Sequence, residues 1–217
     1  MSRKTVSMIG NLTRDMMSDV METSLKKPIQ TGEFRKNPVE PAWRCPAEYI
    51  YELVKTEQFV MEYLKPKQAV TGRVILQLHG GGYIGPMKNI YRRFAVKYSQ
   101  ISFGADVLTP DYRVAPEHPY PAALDDCYDA LLYLKNHADE LGIRTDQIMV
   151  GGESAGGGLC VAVCMKARDT GDVKIAFQMP LYPMLDDRDT ETSRDNHGKV
   201  WNTRKKSFRL ENVSAKY

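Results

Sequence analysis

QIMVGGESAGGGLCVAVCMKAR, residues 147–168, changes character in the middle. It opens as a short apolar run bounded by glycines, which reads as a buried strand. It closes as a longer run with apolar residues at helical spacing. Gly152-Glu153-Ser154-Ala155-Gly156 stands at the junction and matches G-x-S-x-G. Five residues of this kind occur often by chance, and a glycine-rich helix start without chemistry fits them too. The strand before and the helix after are the context that favours the chemical reading. A serine on a tight strand-to-helix turn takes unfavourable backbone angles, so the residues two before and two after it must be small. Gly152 and Gly156 satisfy that. The turn would push the Ser154 hydroxyl out at the end of the sheet, where the positive end of the helix favours developing negative charge.

Upstream, the strand VILQLH (74–79) runs into His79-Gly80-Gly81-Gly82. Glycines there let backbone N–H groups approach a substrate oxygen without a side chain intervening. Two such donors with the N–H of Ala155 would form an oxyanion hole, and removing one donor typically raises the barrier by about 3–4 kcal/mol. An anion-binding loop or a plain turn would use the same glycines. His79 reads as a brace for the glycine loop rather than as a base.

Further out, YIYELVKT and FVMEYLKP form an expected hairpin. A helix is expected from Ile90 to Ser102, a strand at 105–112 and a sixth strand at 175–183. Between them, Leu124, Cys127, Leu131, Leu134 and Leu141 keep helical spacing, with Pro121 at the first turn, Asp125 and Asp126 near the positive helix end and Gly142 as the stop. The run 155–168 is apolar nearly all round and reads as a buried helix. Strands alternating with helices predict an α/β fold, a mostly parallel sheet with helices on both faces. The expected organisation is an N-terminal cap or lid segment over 1–45, a core over 46–184 and a second cap segment over 185–217. Ile9, Leu12, Met16 and Val20 suggest one short amphipathic helix in the first of these.

Composition bounds the function. The net charge of +3, from 30 basic and 27 acidic residues, is too weak a bias to suggest nucleic acid. Arg204, Lys205, Lys206 and Arg209 cluster as on a solvated face. Cys45, Cys127, Cys160 and Cys164 show no CxxC spacing and no nearby histidines, so no metal site is expected and they read as reduced residues of a cytoplasmic protein. No stretch approaches a membrane span or a signal-peptide core.

HGGGY (79–83), DYRVAPEHPYPAALDD (111–126) and GGESAGGG (151–158) together resemble the hormone-sensitive-lipase group of α/β-hydrolases, the bacterial family IV carboxylesterases. The resemblance covers roughly residues 45 to 205. It implies Ser154 as nucleophile, Gly81, Gly82 and Ala155 as oxyanion donors, and Asp111, Arg113 and Glu117 as organisers of the loop beside the site. It implies a small-molecule ester substrate and neither metal nor organic cofactor. The family's acid and histidine follow two further strands, in the order Ser, acid, His. After Pro183 no strand–helix–strand pattern follows. His197 lies in the expected cap, and Asp186 and Asp187 are only a weak substitute acid. The expectation is therefore a truncated carboxylesterase, inactive or impaired, whose last strand forms an exposed apolar edge open to self-association. Two alternatives stand beside it. One is a non-catalytic small-molecule-binding relative, the other a fragment completed by a partner chain.

Overall fold

The computed structural model describes residues 42–68, 70–186, 188 and 191. Glu40–Leu185 form the body of one compact unit, and Asp186 begins a separate one. The expected cap segments, including the helix through Ile9 and Val20, the basic cluster and His197, fall almost wholly outside the described residues.

The body is a six-stranded sheet. Its strands are β1 (Tyr49–Lys55), β2 (Val60–Pro66), β3 (Val74–Leu78), β4 (Asp106–Asp111), β5 (Ile148–Glu153) and β6 (Phe177–Leu181), in the spatial order β1-β2-β4-β3-β5-β6. β1 and β2 are the expected hairpin, paired antiparallel from Tyr49 opposite Pro66 to Lys55 opposite Val60. Thr56 shapes its turn: the side-chain oxygen accepts the N–H groups of Gln58 and Phe59. β2 runs antiparallel to β4, and β4, β3, β5 and β6 are mutually parallel.

Helix α1 (Asn89–Ile101) follows β3; α2 (Ala122–Asn136) and the short α3 (Ala138–Leu141) follow β4; α4 (Ala155–Thr170) follows β5. They cover opposite faces of the sheet. Leu76 and Leu78 share a cluster with Leu131 and Leu134 of α2 and Leu159 and Val163 of α4. Ile75, pointing the other way, packs with Val107 and with Ala95 of α1. Alternate β3 residues thus feed two cores, which is why all five are apolar or satisfied. The polar one, Gln77, donates to Tyr91 O at 3.2 Å and accepts from the Thr109 hydroxyl at 3.3 Å.

Two expectations need correction. The helix expected to run on to Leu141 breaks at His137, whose backbone (φ −108°, ψ 18°) leaves the helical region. The His137 ring stacks on Tyr133 at 4.1 Å, and its N–H donates to Tyr133 O, capping the first helix; Leu141 belongs to the next one. Gly142, at φ 69°, terminates that second helix. Helix α4 is not buried all round. Leu159, Cys160, Val163 and Ala167 face the core, but Met165 is 49% exposed, because sheet and α2 cover only part of its circumference. Among the described residues no helix is long and apolar enough to cross a membrane.

Candidate active site

β3 and β5 are neighbours, but the helices that follow them leave to opposite faces. A crevice must therefore open beyond their carboxyl ends, the usual ligand position in an open α/β sheet. The two glycine motifs occupy those two ends.

On the β5 side the chain turns at Ser154, with φ 55° and ψ −114°. A non-glycine residue there holds backbone strain of about 1–3 kcal/mol. Neighbouring packing maintains it. A Cβ on Gly156 would overlap Leu78 O and come within 2.6 Å of His79 O. A Cβ on Gly152 would overlap Gly156 O and stand 2.7 Å from Leu78 O. The bare glycines let the end of β3 and the start of α4 touch through backbone alone. Ser154 N–H donates to Leu181 O, and Ser154 O accepts from Gly158 and Met184, each at 3.0 Å. The segment after β6 thereby clamps the turn from a third direction.

On the β3 side, Gly81 and Gly82 adopt φ 133° and 62°, conformations that glycine reaches without strain. Gly81 O accepts the N–H of Gly85 at 2.9 Å and closes the loop on itself. A Cβ on Gly80 would lie 3.6 Å from Ser154 Cβ, so the loop abuts the serine turn directly. Among the described residues no hydrogen bond uses the N–H of Gly81, Gly82 or Ala155.

His79 is wholly buried. Its ring stacks on Tyr112 at 4.0 Å, nearly parallel, and its Nδ1 donates to Gly80 O at 2.7 Å, while Nε2 meets no partner among the described residues. Burial drives its pKa down to about 4, opposed by the Gly80 contact. The ring is thus neutral at pH 7. Tyr112 also donates its hydroxyl to His79 O at 2.6 Å.

The DYR motif supports the loop from below. Asp111 Oδ1 accepts the N–H of Met87 at 3.2 Å. Arg113 is held by Asp126, a fully buried carboxylate that receives the Arg113 N–H at 2.8 Å and its guanidinium at 2.7 Å. Asp126 therefore anchors the DYR loop, a use that its position near the helix start did not reveal. Glu117 is exposed on the same loop.

Other groups escaped the sequence reading. Glu153, the variable position of G-x-S-x-G, is buried with Oε1 accepting the Tyr98 hydroxyl of α1 and Oε2 unpartnered among the described residues. Burial pushes its carboxyl pKa up, against the Tyr98 bond. Tyr83 crosses to donate its hydroxyl to Met184 O at 3.0 Å. Only the aromatic residue after the glycines could have signalled it. Among the described residues no group of three or more His, Cys, Asp or Glu side chains could hold a metal ion.

A family model for the alpha/beta hydrolase fold, Abhydrolase_3, matches residues 75–214. Esterase LipI of Mycobacterium tuberculosis is 38% identical over 112 residues, covering 51% of this chain and 34% of that protein. Hormone-sensitive lipase of Bos taurus is 35% identical over 109 residues, covering 50% of this chain and 14% of that protein. Among solved structures, a bacterial heroin esterase superposes with a TM-score of 0.73 at 29% identity, over 88% of this chain and 61% of that one. The chain thus spans about a third of the mycobacterial relative and less of the bovine one. Sheet order, serine turn and these likenesses agree, and the chain belongs to the α/β-hydrolase family, in its hormone-sensitive-lipase-like branch.

Proposed function

We propose that the chain acts on carboxylic esters through Ser154, with the N–H groups of Gly81, Gly82 and Ala155 receiving the developing oxyanion. In that reaction Ser154 Oγ adds to the ester carbonyl and the C–O bond to the alcohol breaks. The serine proton leaves with the alcohol, and water then releases the acid and restores the hydroxyl. The observation that carries the reading is the strained serine turn, abutted by a glycine loop whose N–H groups are uncommitted among the described residues. His79, Asp111, Arg113 and Glu117 act as loop supports rather than in proton transfer. Buried neutral His79, stacked on Tyr112, is built to hold the loop, not to accept a proton.

Among the described residues no imidazole bonds to Ser154; the His137 ring is engaged with Tyr133. A serine hydroxyl without a base is a poor nucleophile. Loss of a triad member commonly costs about a million-fold, and an oxyanion hole alone leaves roughly a thousand-fold over water. The 217 residues are therefore expected to hydrolyse p-nitrophenyl acetate and butyrate no more than about a thousand-fold over water, any excess over the Ser154→Ala variant being the part that runs through the serine. Equal rates for the chain and its Ser154→Ala variant would remove the serine from the reaction. A kcat in the ordinary range of about 1–1000 per second would show that a base is present after all.

A further inference from the structure

Helix α4 carries two thiols that the ester chemistry does not use. Cys160 and Cys164 are four residues apart, so they share one face of the helix, with Cβ atoms about 5–6 Å apart. That face looks toward β6. A Cβ on Gly157, one turn before Cys160, would lie 3.0 Å from Leu181 O, and the Met179 backbone meets the Cys160 sulfur. Cys160 is fully buried, and its thiol donates to Val150 O at 3.3 Å. Cys164 is half-buried on the flank, next to exposed Met165. The Cys164 thiol donates to the Cys160 sulfur, which lowers the Cys160 pKa against the opposing effect of burial. The other two cysteines lie on other segments, Cys127 in α2 and Cys45 before β1.

Two thiols in this relation are joined either directly or through a third atom. A disulfide needs Cβ atoms about 3.5–4.5 Å apart and sulfurs about 2.05 Å apart. The helical spacing exceeds that, so a direct bond would distort the backbone of α4. A single soft atom between the sulfurs spans the wider gap. Thiolates select soft centres. Structural zinc takes four ligands, and among the described residues no third His, Cys, Asp or Glu completes a group around this pair. The centre must therefore accept two protein sulfurs and bring its remaining ligand with it. Trivalent arsenic meets that condition.

We propose that Cys160 and Cys164 form a dithiol site for trivalent arsenicals, arsenite or a compound with one organic group on arsenic. With phenylarsine oxide, both S–H bonds break and two As–S bonds form. The two protons leave with the arsenic oxygen as water. Arsenic stays trivalent, so the step needs neither oxidant nor reductant. Cys164, the more accessible thiol, takes the arsenic first. Cys160 then closes the chelate from within the same helix face, which makes its reaction intramolecular and strengthens retention about a hundredfold over a single thiol.

The test treats the 217-residue chain with an equimolar amount of phenylarsine oxide, challenges it with excess glutathione or with dimercaptopropanol, and reads the intact mass. One phenylarsenic group is expected to survive glutathione, a monothiol, and to be stripped by dimercaptopropanol, a dithiol. Cys164→Ser is expected to weaken retention against glutathione about a hundredfold, and so is Cys160→Ser, whose hydroxyl can keep the bond to Val150 O. A double variant, Cys45→Ser with Cys127→Ser, is expected to hold the arsenic as tightly as the unchanged chain. Circular dichroism reports that each variant is folded. If Cys160→Ser does not fold, Cys164→Ser on the half-buried flank decides alone. Undiminished retention in folded Cys164→Ser, loss of retention in the folded double variant, or no glutathione-resistant adduct on the unchanged chain would overturn the proposal. The readout needs no ester turnover, so it stands or falls apart from the role of Ser154.

Discussion

β3 and β6 look alike as sequence, five-residue runs VILQL and FQMPL with apolar majorities, but fare differently in the fold. Every β3 residue is buried, with Leu76 and Leu78 at 0% exposure. In β6, at the end of the sheet, Phe177 is 60% exposed, and just beyond it Tyr182 and Leu185 are 72% and 64% exposed. β3 has a strand on each side and helices above and below. β6 pairs only with β5 among the described strands. Burial is a property of the neighbours a strand receives. The same apolar content that stabilises the centre stays partly exposed at the end of the sheet.

The largest expected effect tests the close packing at the end of β3. Gly156→Ala drives a Cβ into Leu78 O and His79 O, both rigid backbone atoms. It should cost more than about 4 kcal/mol and abolish soluble expression, since backbone cannot step aside cheaply. A soluble variant with an unchanged unfolding midpoint would mean that β3 and α4 are not in contact there. Leu76→Ala should cost about 3 kcal/mol by urea unfolding, through lost burial and the cavity left behind. A loss below about 1 kcal/mol would put β3 on the same footing as the edge.

At the tip of β3, His79 predicts a pH dependence. Its pKa in the folded chain is about 4, below the unfolded value of 6.5. Between those limits the unfolded chain binds a proton that the folded chain refuses. Stability is thus complete above about pH 6.5, falls as pH drops toward 4 and levels off below it, by about 3 kcal/mol in all. His79→Gln should flatten that slope in urea titrations from pH 4 to 8. An unchanged slope would assign it to other groups.

The smallest effect belongs to the edge. Phe177→Ser should change stability by no more than about 0.5 kcal/mol, because the ring is already largely in water. It should nevertheless lower concentration-dependent association in light scattering if the β6 margin is where copies meet. Association that is indifferent to Phe177 would place the contact elsewhere.

Local chemistry made much of this molecule readable. The turn at Ser154 follows from glycines at 152 and 156, because only bare backbone fits between β3 and α4. The six strands and four-residue-spaced helices follow from apolar periodicity, and Gly142 from its freedom at positive φ. The reading failed where a residue's partner lies far along the chain. Asp126 looked like a charge at a helix start and is the buried anchor of Arg113. Glu153 occupies a position that the motif leaves free, yet meets Tyr98 from α1, 55 residues away. The break at His137 depends on a ring stacking back on Tyr133, which helical spacing cannot register.

The sequence by itself determined the α/β class, the serine turn and the glycine loop, because each rests on steric limits that act within a few residues. The tertiary structure alone decided that His79 is a neutral stacked brace, that Tyr83 packs over Gly158, and that Phe177 of β6 stays largely exposed. Those outcomes depend on which distant segments pack together and how much water they exclude, and no local pattern encodes that.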